Sequence, residues 1–225
     1  MSEYRIEGGK KLSGTIETTS GKNAPYALIF ASLLVKGKII LKDMTRVDEV
    51  LHAIELLKSI GADFNWIDET TLSIDTSGSL TLDTIDKKLC STLRLSLVLF
   101  GALVAREKQF RVYKSGGCKL GNRTIRPHTI ALESLGVHVK SRNKYYDISC
   151  TELKANHVVM YESGDTATEN VIMAAVLAPG ITTITFASAN YMVQDLCFFL
   201  ESAGSRDGLD RVRMIPKNRD SGFTE

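Results

Sequence analysis

The chain has 225 residues, enough for one substantial core or two small ones, and its 44% hydrophobic and 24% charged content is that of a globular protein. A net charge of +2 is too small to argue for nucleic acid as a partner, and no apolar run reaches the ~18 residues that span a bilayer. The four cysteines, Cys90, Cys118, Cys150 and Cys197, form neither a C-x-x-C pair nor a zinc pattern with histidine, and the N-terminus lacks a signal-peptide core. They read as free thiols of a reducing cytoplasm, the location expected for the chain. No metal and no organic cofactor is expected.

In chain order, residues 1–13 carry a strand pattern, "YRIEGG", which pairs with nothing obvious in the first unit after it. The segment "TTSGKNAP" then leads into a helix: Gly21 permits a tight turn, and Pro25 suits the first helical turn. Lys22 and Asn23 stand at that helix start. Unpaired N–H groups and an ammonium make such a place an anion site, or simply a solvated lysine beside a capped helix. The first unit runs on as an apolar helix "APYALIFASLLVKG", a strand "KIILKD", a helix "VDEVLHAIELLKSIGA" and two strands around the turn in "DFNWIDETTLSID".

A second unit begins at the apolar helix "LRLSLVLFGALVARE", which starts near Ser91 and carries Arg94 between two leucines. That arginine either snorkels outward or meets an anion in a cleft. The strand "QFRVYK" follows, and then the loop "KSGGCKLGNR". Gly116, Gly117 and Gly121 let its backbone move, and Lys114, Lys119 and Arg123 favour the thiolate of Cys118. A solvated turn with an incidental cysteine is the plain alternative. The helix "RPHTIALESLGV" and the strands in "HVKSRNKYYDISC" close the unit, and His128 and His157 read as structural.

The third unit offers "ATENVIMAAVLAPG", "ITTITFA" and "YMVQDLCFFLESAG". After it only Leu209 to Ile215 looks like a strand, and residues 216–225 read as a disordered tail. The order of elements therefore repeats three times, with Gly61, Gly136 and Gly204 at the left-handed ends of the second helices. The first helices are apolar nearly all round and belong inside, with amphipathic helices and strands outside. The expected fold is one α/β domain over residues 14–215, built from three βαβαββ-type units around a shared bundle of buried helices.

A lysine, two arginines and a polarised thiol suit a phosphate-bearing substrate and one proton transfer. The motifs "SGKNAP", "GGCKLGNR" and "TATENVIMAAVLAPGITTI", in this order from Tyr4 to about Gly204, resemble the family of UDP-N-acetylglucosamine enolpyruvyl transferases. The resemblance implies the inside-out α/β barrel as the fold. It implies transfer of the enolpyruvyl group from phosphoenolpyruvate to the 3′-hydroxyl of UDP-N-acetylglucosamine, a step of peptidoglycan and cell-wall synthesis.

By that resemblance Lys22 would hold phosphoenolpyruvate and Asn23 would touch the amino sugar. Arg94 and Arg123 would bind the phosphate and nucleotide side, and Cys118 would be the loop acid, the group fosfomycin alkylates. Thr124, Ile125, Arg126, Pro127, Gly164 and Asp165 complete the implied binding set. Thr124, Arg126, Asp165 and Thr166 depart from the residues usual there, which touches nucleotide specificity more than the enolpyruvyl chemistry. The family's second domain is missing after the third unit, and residues 1–13 are expected to be an orphan strand of it. The chain is therefore expected to be a truncated form, inactive alone, that needs a second domain in trans. Two rivals stand beside this reading. One is a 5-enolpyruvylshikimate-3-phosphate synthase-like transferase, which has lysine-serine in place of Lys22-Asn23. The other is a non-catalytic module binding a nucleotide sugar or a partner.

Overall fold

The computed structural model of the protein describes residues 5–16, 18, 21–114, 124–204 and 212–216, without the side chains of Arg94, Leu95 and Pro216. The interior is helical. Helices α1 (Asn23–Ala31), α4 (Leu99–Val104) and α6 (Asp165–Ala175) pack on one another. All six residues of α4 are buried, as is every residue of α6 from Ala167 to Ala175. Apolar residues on all sides of these helices leave no face that water would favour, which is why they fill the centre.

Helices α2 (Asp48–Lys58), α5 (Arg126–Glu133) and α7 (Tyr191–Ser202) bury one face each. Asp48 and Glu49 in the first turn of α2 and Lys58 in its last turn complement the helix dipole. Its end is a Schellman motif: the Ala62 N–H reaches the Leu57 carbonyl, the Gly61 N–H reaches that of Lys58, and Gly61 has φ +101°. Helix α5 ends the same way at Gly136, φ +88°, and Gly204 after α7 has φ +90°.

Three separate three-stranded sheets flank the helices. Strands β1 (Lys38–Leu41), β2 (Asp63–Trp66) and β3 (Leu72–Asp75) form the order β1-β3-β2, antiparallel throughout. Strands β4 (Gln109–Tyr113), β5 (His138–Ser141) and β6 (Tyr145–Ser149) repeat that plan as β4-β6-β5. The third sheet does not. Strands β7 (His157–Val159), β8 (Thr182–Ala187) and β9 (Val212–Pro216) lie in the order β7-β8-β9, all parallel. Strand β9 pairs directly with β8, and α7 lies between the two in sequence.

Residues 5–13 pair with no described strand, and Ile6 and Leu12 are 87% and 92% exposed. One expectation is corrected. The apolar run around Arg94 is not one helix. A short α3 (Lys87–Thr92), capped by Asp86 accepting from the Leu89 N–H, stops at an extended Leu93, and a 3-10 turn over Arg94–Val98 leads into α4. The run is so uniformly apolar that it has no periodicity to phase a single helix, and tertiary packing sets the break. The strand β7, too short to show a pattern, was not anticipated. Among the described residues no helix is long and apolar enough to cross a membrane.

Candidate active site

The N-terminal ends of α1, α5 and α6 converge on a cleft of about 740 Å³. Asn23 and Tyr26 come from α1, Thr124, Pro127 and His128 from the start of α5, and Gly164, Asp165 and Glu169 from the start of α6. Three helix starts turn the positive ends of their dipoles toward one space, an environment suited to anionic ligand atoms.

Each wall is built differently. At α1, Lys22 is the N-cap residue and its Nζ lies 3.1 Å from Glu49 on α2, both side chains about half exposed. That hydrogen bond holds the Glu49 carboxyl below the usual carboxylate range. Gly21 is not in the left-handed region, and a Cβ there would stand 3.2 Å from the hydroxyl of the half-exposed Tyr191. One turn into α1, Tyr26 tilts against Phe30, and its buried hydroxyl has no partner among the described residues, with burial pushing the phenol far above its ordinary range.

At α5, the Thr124 hydroxyl accepts from the Arg126 N–H at 3.1 Å, bending the chain into the helix, and Pro127 occupies the first turn. Arg126 points to solvent and Ile125 packs against the core, so neither lines the cleft.

The α6 wall carries buried polar residues. Asp165 accepts from the Ser188 hydroxyl and, at 3.3 Å, from the Asn190 side chain, tying α6 to the loop before α7. Thr168 donates to the Gly164 carbonyl at 2.9 Å and accepts from the Ser188 N–H at 3.1 Å. Glu169 is 3% exposed, its Oε1 has no partner among the described residues, and burial, aided by Asp165, raises its carboxyl to about 7. Asn170 is fully buried and bonds Gly101, Leu97 and His128.

Of the residues singled out in the sequence, Asn23, Thr124, Pro127, Gly164 and Asp165 are brought together here. Lys22 stands one residue from the rim, engaged with Glu49. Cys118 and Arg123 lie outside the described residues, as does the Arg94 side chain. The other thiols are buried or half-buried, and burial pushes Cys90 and Cys197 to about 11 and raises Cys150. Sequence reasoning missed Tyr26, Glu169 and Asn170, and took His128 as structural only. Three polar residues in a row, Thr168-Glu169-Asn170, running directly into the apolar stretch Val171–Ala175 were the available signal.

Residues 6–206 match the family model described as EPSP synthase (3-phosphoshikimate 1-carboxyvinyltransferase). The chain is 34% identical over 214 residues to a UDP-N-acetylglucosamine 1-carboxyvinyltransferase of Bradyrhizobium diazoefficiens, covering 95% of this chain and 49% of that protein. It is 34% identical to one of Ruthia magnifica, covering 92% of this chain and 49% of the relative. The chain thus spans about half the length of the curated relatives it matches. Among solved structures, the enolpyruvyl transferase NikO from Streptomyces tendae superposes with a TM-score of 0.72 at 18% identity, over 86% of this chain and 45% of that one. An EPSP synthase from Acinetobacter baumannii gives 0.58 at 14% identity, over 79% of this chain and 40% of that chain. These two likenesses bear on the α/β fold.

Proposed function

The chain belongs to the EPSP synthase (3-phosphoshikimate 1-carboxyvinyltransferase) family, and on that premise we propose that its cleft serves enolpyruvyl transfer from phosphoenolpyruvate to the 3′-hydroxyl of UDP-N-acetylglucosamine. The observation that carries this reading is the convergence of Asn23, Thr124, Pro127, Gly164 and Asp165 on one cleft at three helix starts. The names of the relatives support the acceptor. The three sheets around buried helices are the arrangement expected of an inside-out α/β barrel. The process served would be cytoplasmic, on the way to peptidoglycan.

In this proposal Lys22 exchanges Glu49 for the phosphate or carboxylate of phosphoenolpyruvate, and Arg94 and Arg123 add positive charge. Cys118 gives a proton to the methylene carbon, C3. The sugar hydroxyl oxygen bonds to C2 and releases its proton to a base. The C2–O bond to phosphate then breaks, and C3 returns a proton, restoring the vinyl group. Charge develops at C2 and at the departing phosphate together, so cations and helix ends held beforehand lower the barrier. Water must be kept from the cationic centre, and ligand groups from a further polypeptide segment, in trans or in the same chain, are part of the proposal.

Binding is the test suited to residues 1–225. Calorimetric titration with UDP-N-acetylglucosamine should give saturable binding that weakens in Asn23→Ala, while 3-phosphoshikimate should bind poorly. A preference for 3-phosphoshikimate would favour the second reading, toward which the name of the family model points. Competitive alkylation adds a check. Cys118 should react before Cys90, Cys150 and Cys197, whose thiols burial keeps protonated.

A further inference from the structure

We infer that Asn170 is a positioning residue: it holds His128 on the cleft wall as a neutral imidazole whose proton sits on Nε2. Three bonds made by Asn170 settle the proton's place. The Gly101 N–H can only donate, so the atom 2.7 Å from it is the amide oxygen. The Leu97 carbonyl can only accept, so the atom 2.9 Å from it is the amide nitrogen. The amide orientation is therefore set by two backbone groups whose roles cannot be exchanged. The second hydrogen of that nitrogen faces His128 Nδ1 at 2.8 Å. A nitrogen that receives an N–H must offer its lone pair, so Nδ1 is unprotonated and the ring hydrogen is on Nε2.

The clamp is rigid. Asn170 is fully buried, His128 is 7% exposed, and a Cβ on Gly101 would stand 2.1 Å from the Asn170 carbonyl oxygen. Asp165 and Glu169 on α6, Glu162 before it and Tyr26 on α1 line the same cleft. The carboxylates among them would favour an imidazolium, whereas Asn170 opposes one, because protonating Nδ1 would set two N–H groups against each other. The cleft wall thereby carries a neutral ring of fixed orientation, in place of another titrating charge, where a nucleoside diphosphate would lie. This last step rests on the proposed function; the tautomer does not.

The experiment uses the full chain with nitrogen-15-labelled histidine. Long-range proton–nitrogen correlation should show His128 as the neutral Nε2–H form from about pH 6 to about pH 8. In Asn170→Asp, a side chain of equal size now accepts from Nδ1–H, so the ring proton should move and the imidazolium should persist to higher pH. Affinity for UDP-N-acetylglucosamine should fall about tenfold in that variant. His128→Gln, which keeps an N–H donor, should hold within about threefold. A wild-type ring protonated on Nδ1, or identical His128 signals in Asn170→Asp, overturns the inference. If Asn170→Asp does not fold, the wild-type tautomer decides alone. Unchanged affinity in a variant whose tautomer has moved overturns the role toward the ligand. A correct tautomer with no wild-type affinity for UDP-N-acetylglucosamine overturns the functional reading and leaves the tautomer standing.

Discussion

Helices α1 and α6 both run through the centre of the molecule and both start at the cleft, yet they are held in opposite ways. Helix α1 is apolar from Ala24 onward, and its start is secured outside, by the Lys22–Glu49 pair at the surface. Helix α6 buries Thr168, Glu169 and Asn170 within its first two turns and is held from inside by the hydrogen bonds of Thr168 and Asn170. Apolar packing sets where a helix lies, and directional bonds set which atoms it presents. The cleft thus has one wall defined by shape and one by hydrogen-bond geometry.

The contrast breaks most visibly in the core. Phe30→Ala in α1 removes a fully buried ring that packs on Tyr26 and should cost about 4 kcal/mol in denaturant unfolding. Asn170→Leu in α6 keeps the branched shape and the number of heavy atoms but strands the Gly101 N–H and the Leu97 carbonyl, and about 3 kcal/mol is expected. A loss below about 1 kcal/mol for Asn170→Leu would mean that α6 is held by packing alone, as α1 is.

Glu169 sharpens the same comparison through pH. Its carboxyl is raised from 4.5 to about 7 by burial first and Asp165 second, so the folded state holds its proton where the unfolded state has lost it. Stability should fall as pH rises from about 4.5 to about 7 and stay level above. Glu169→Gln removes that cost, and it should stabilise the chain by about 3 kcal/mol at about pH 8 and by almost nothing at about pH 4. Melting the two proteins in parallel across this range checks it. An equal effect at both ends of the range would show that Glu169 is not a buried titrating group.

Much of this was legible in the sequence, and the illegible parts share a cause. Helices α1, α2, α5 and α7 and the first two sheets follow from periodicity and from Gly61 and Gly136, because local burial and chain reversal suffice to form them. Five cleft residues follow from motif resemblance. The parallel third sheet was hidden because β7 is three residues long and pairs with β8, a partner distant in sequence. The Asn170–His128 bond spans 42 residues, and a pattern that treats Asn170 as a blemish in an apolar helix cannot locate its partners. Asp165 came out of motif resemblance as a ligand residue, and its bonds to Ser188 and Asn190 show that it also anchors the start of α6.

The smallest effect on stability is expected at the surface pair. Lys22 and Glu49 are each about half exposed, so their attraction is screened and Lys22→Ala should cost no more than about 0.5 kcal/mol. Its signature is in titration: without the Lys22 hydrogen bond the Glu49 carboxyl should return to the ordinary range, which carbon-13 spectra of the side chain would show. The pair's small contribution is present above the ordinary carboxylate range and is lost as pH falls through the lowered value of Glu49. A lysine so lightly held is free to change partners. If Lys22 is to meet an anion in the cleft, Glu49 competes for it, and Glu49→Gln should tighten the binding of phosphoenolpyruvate about threefold while leaving the fold untouched. Unchanged binding in Glu49→Gln, together with unchanged binding in Lys22→Ala, would confine Lys22 to the surface pair and remove it from the α1 wall of the site.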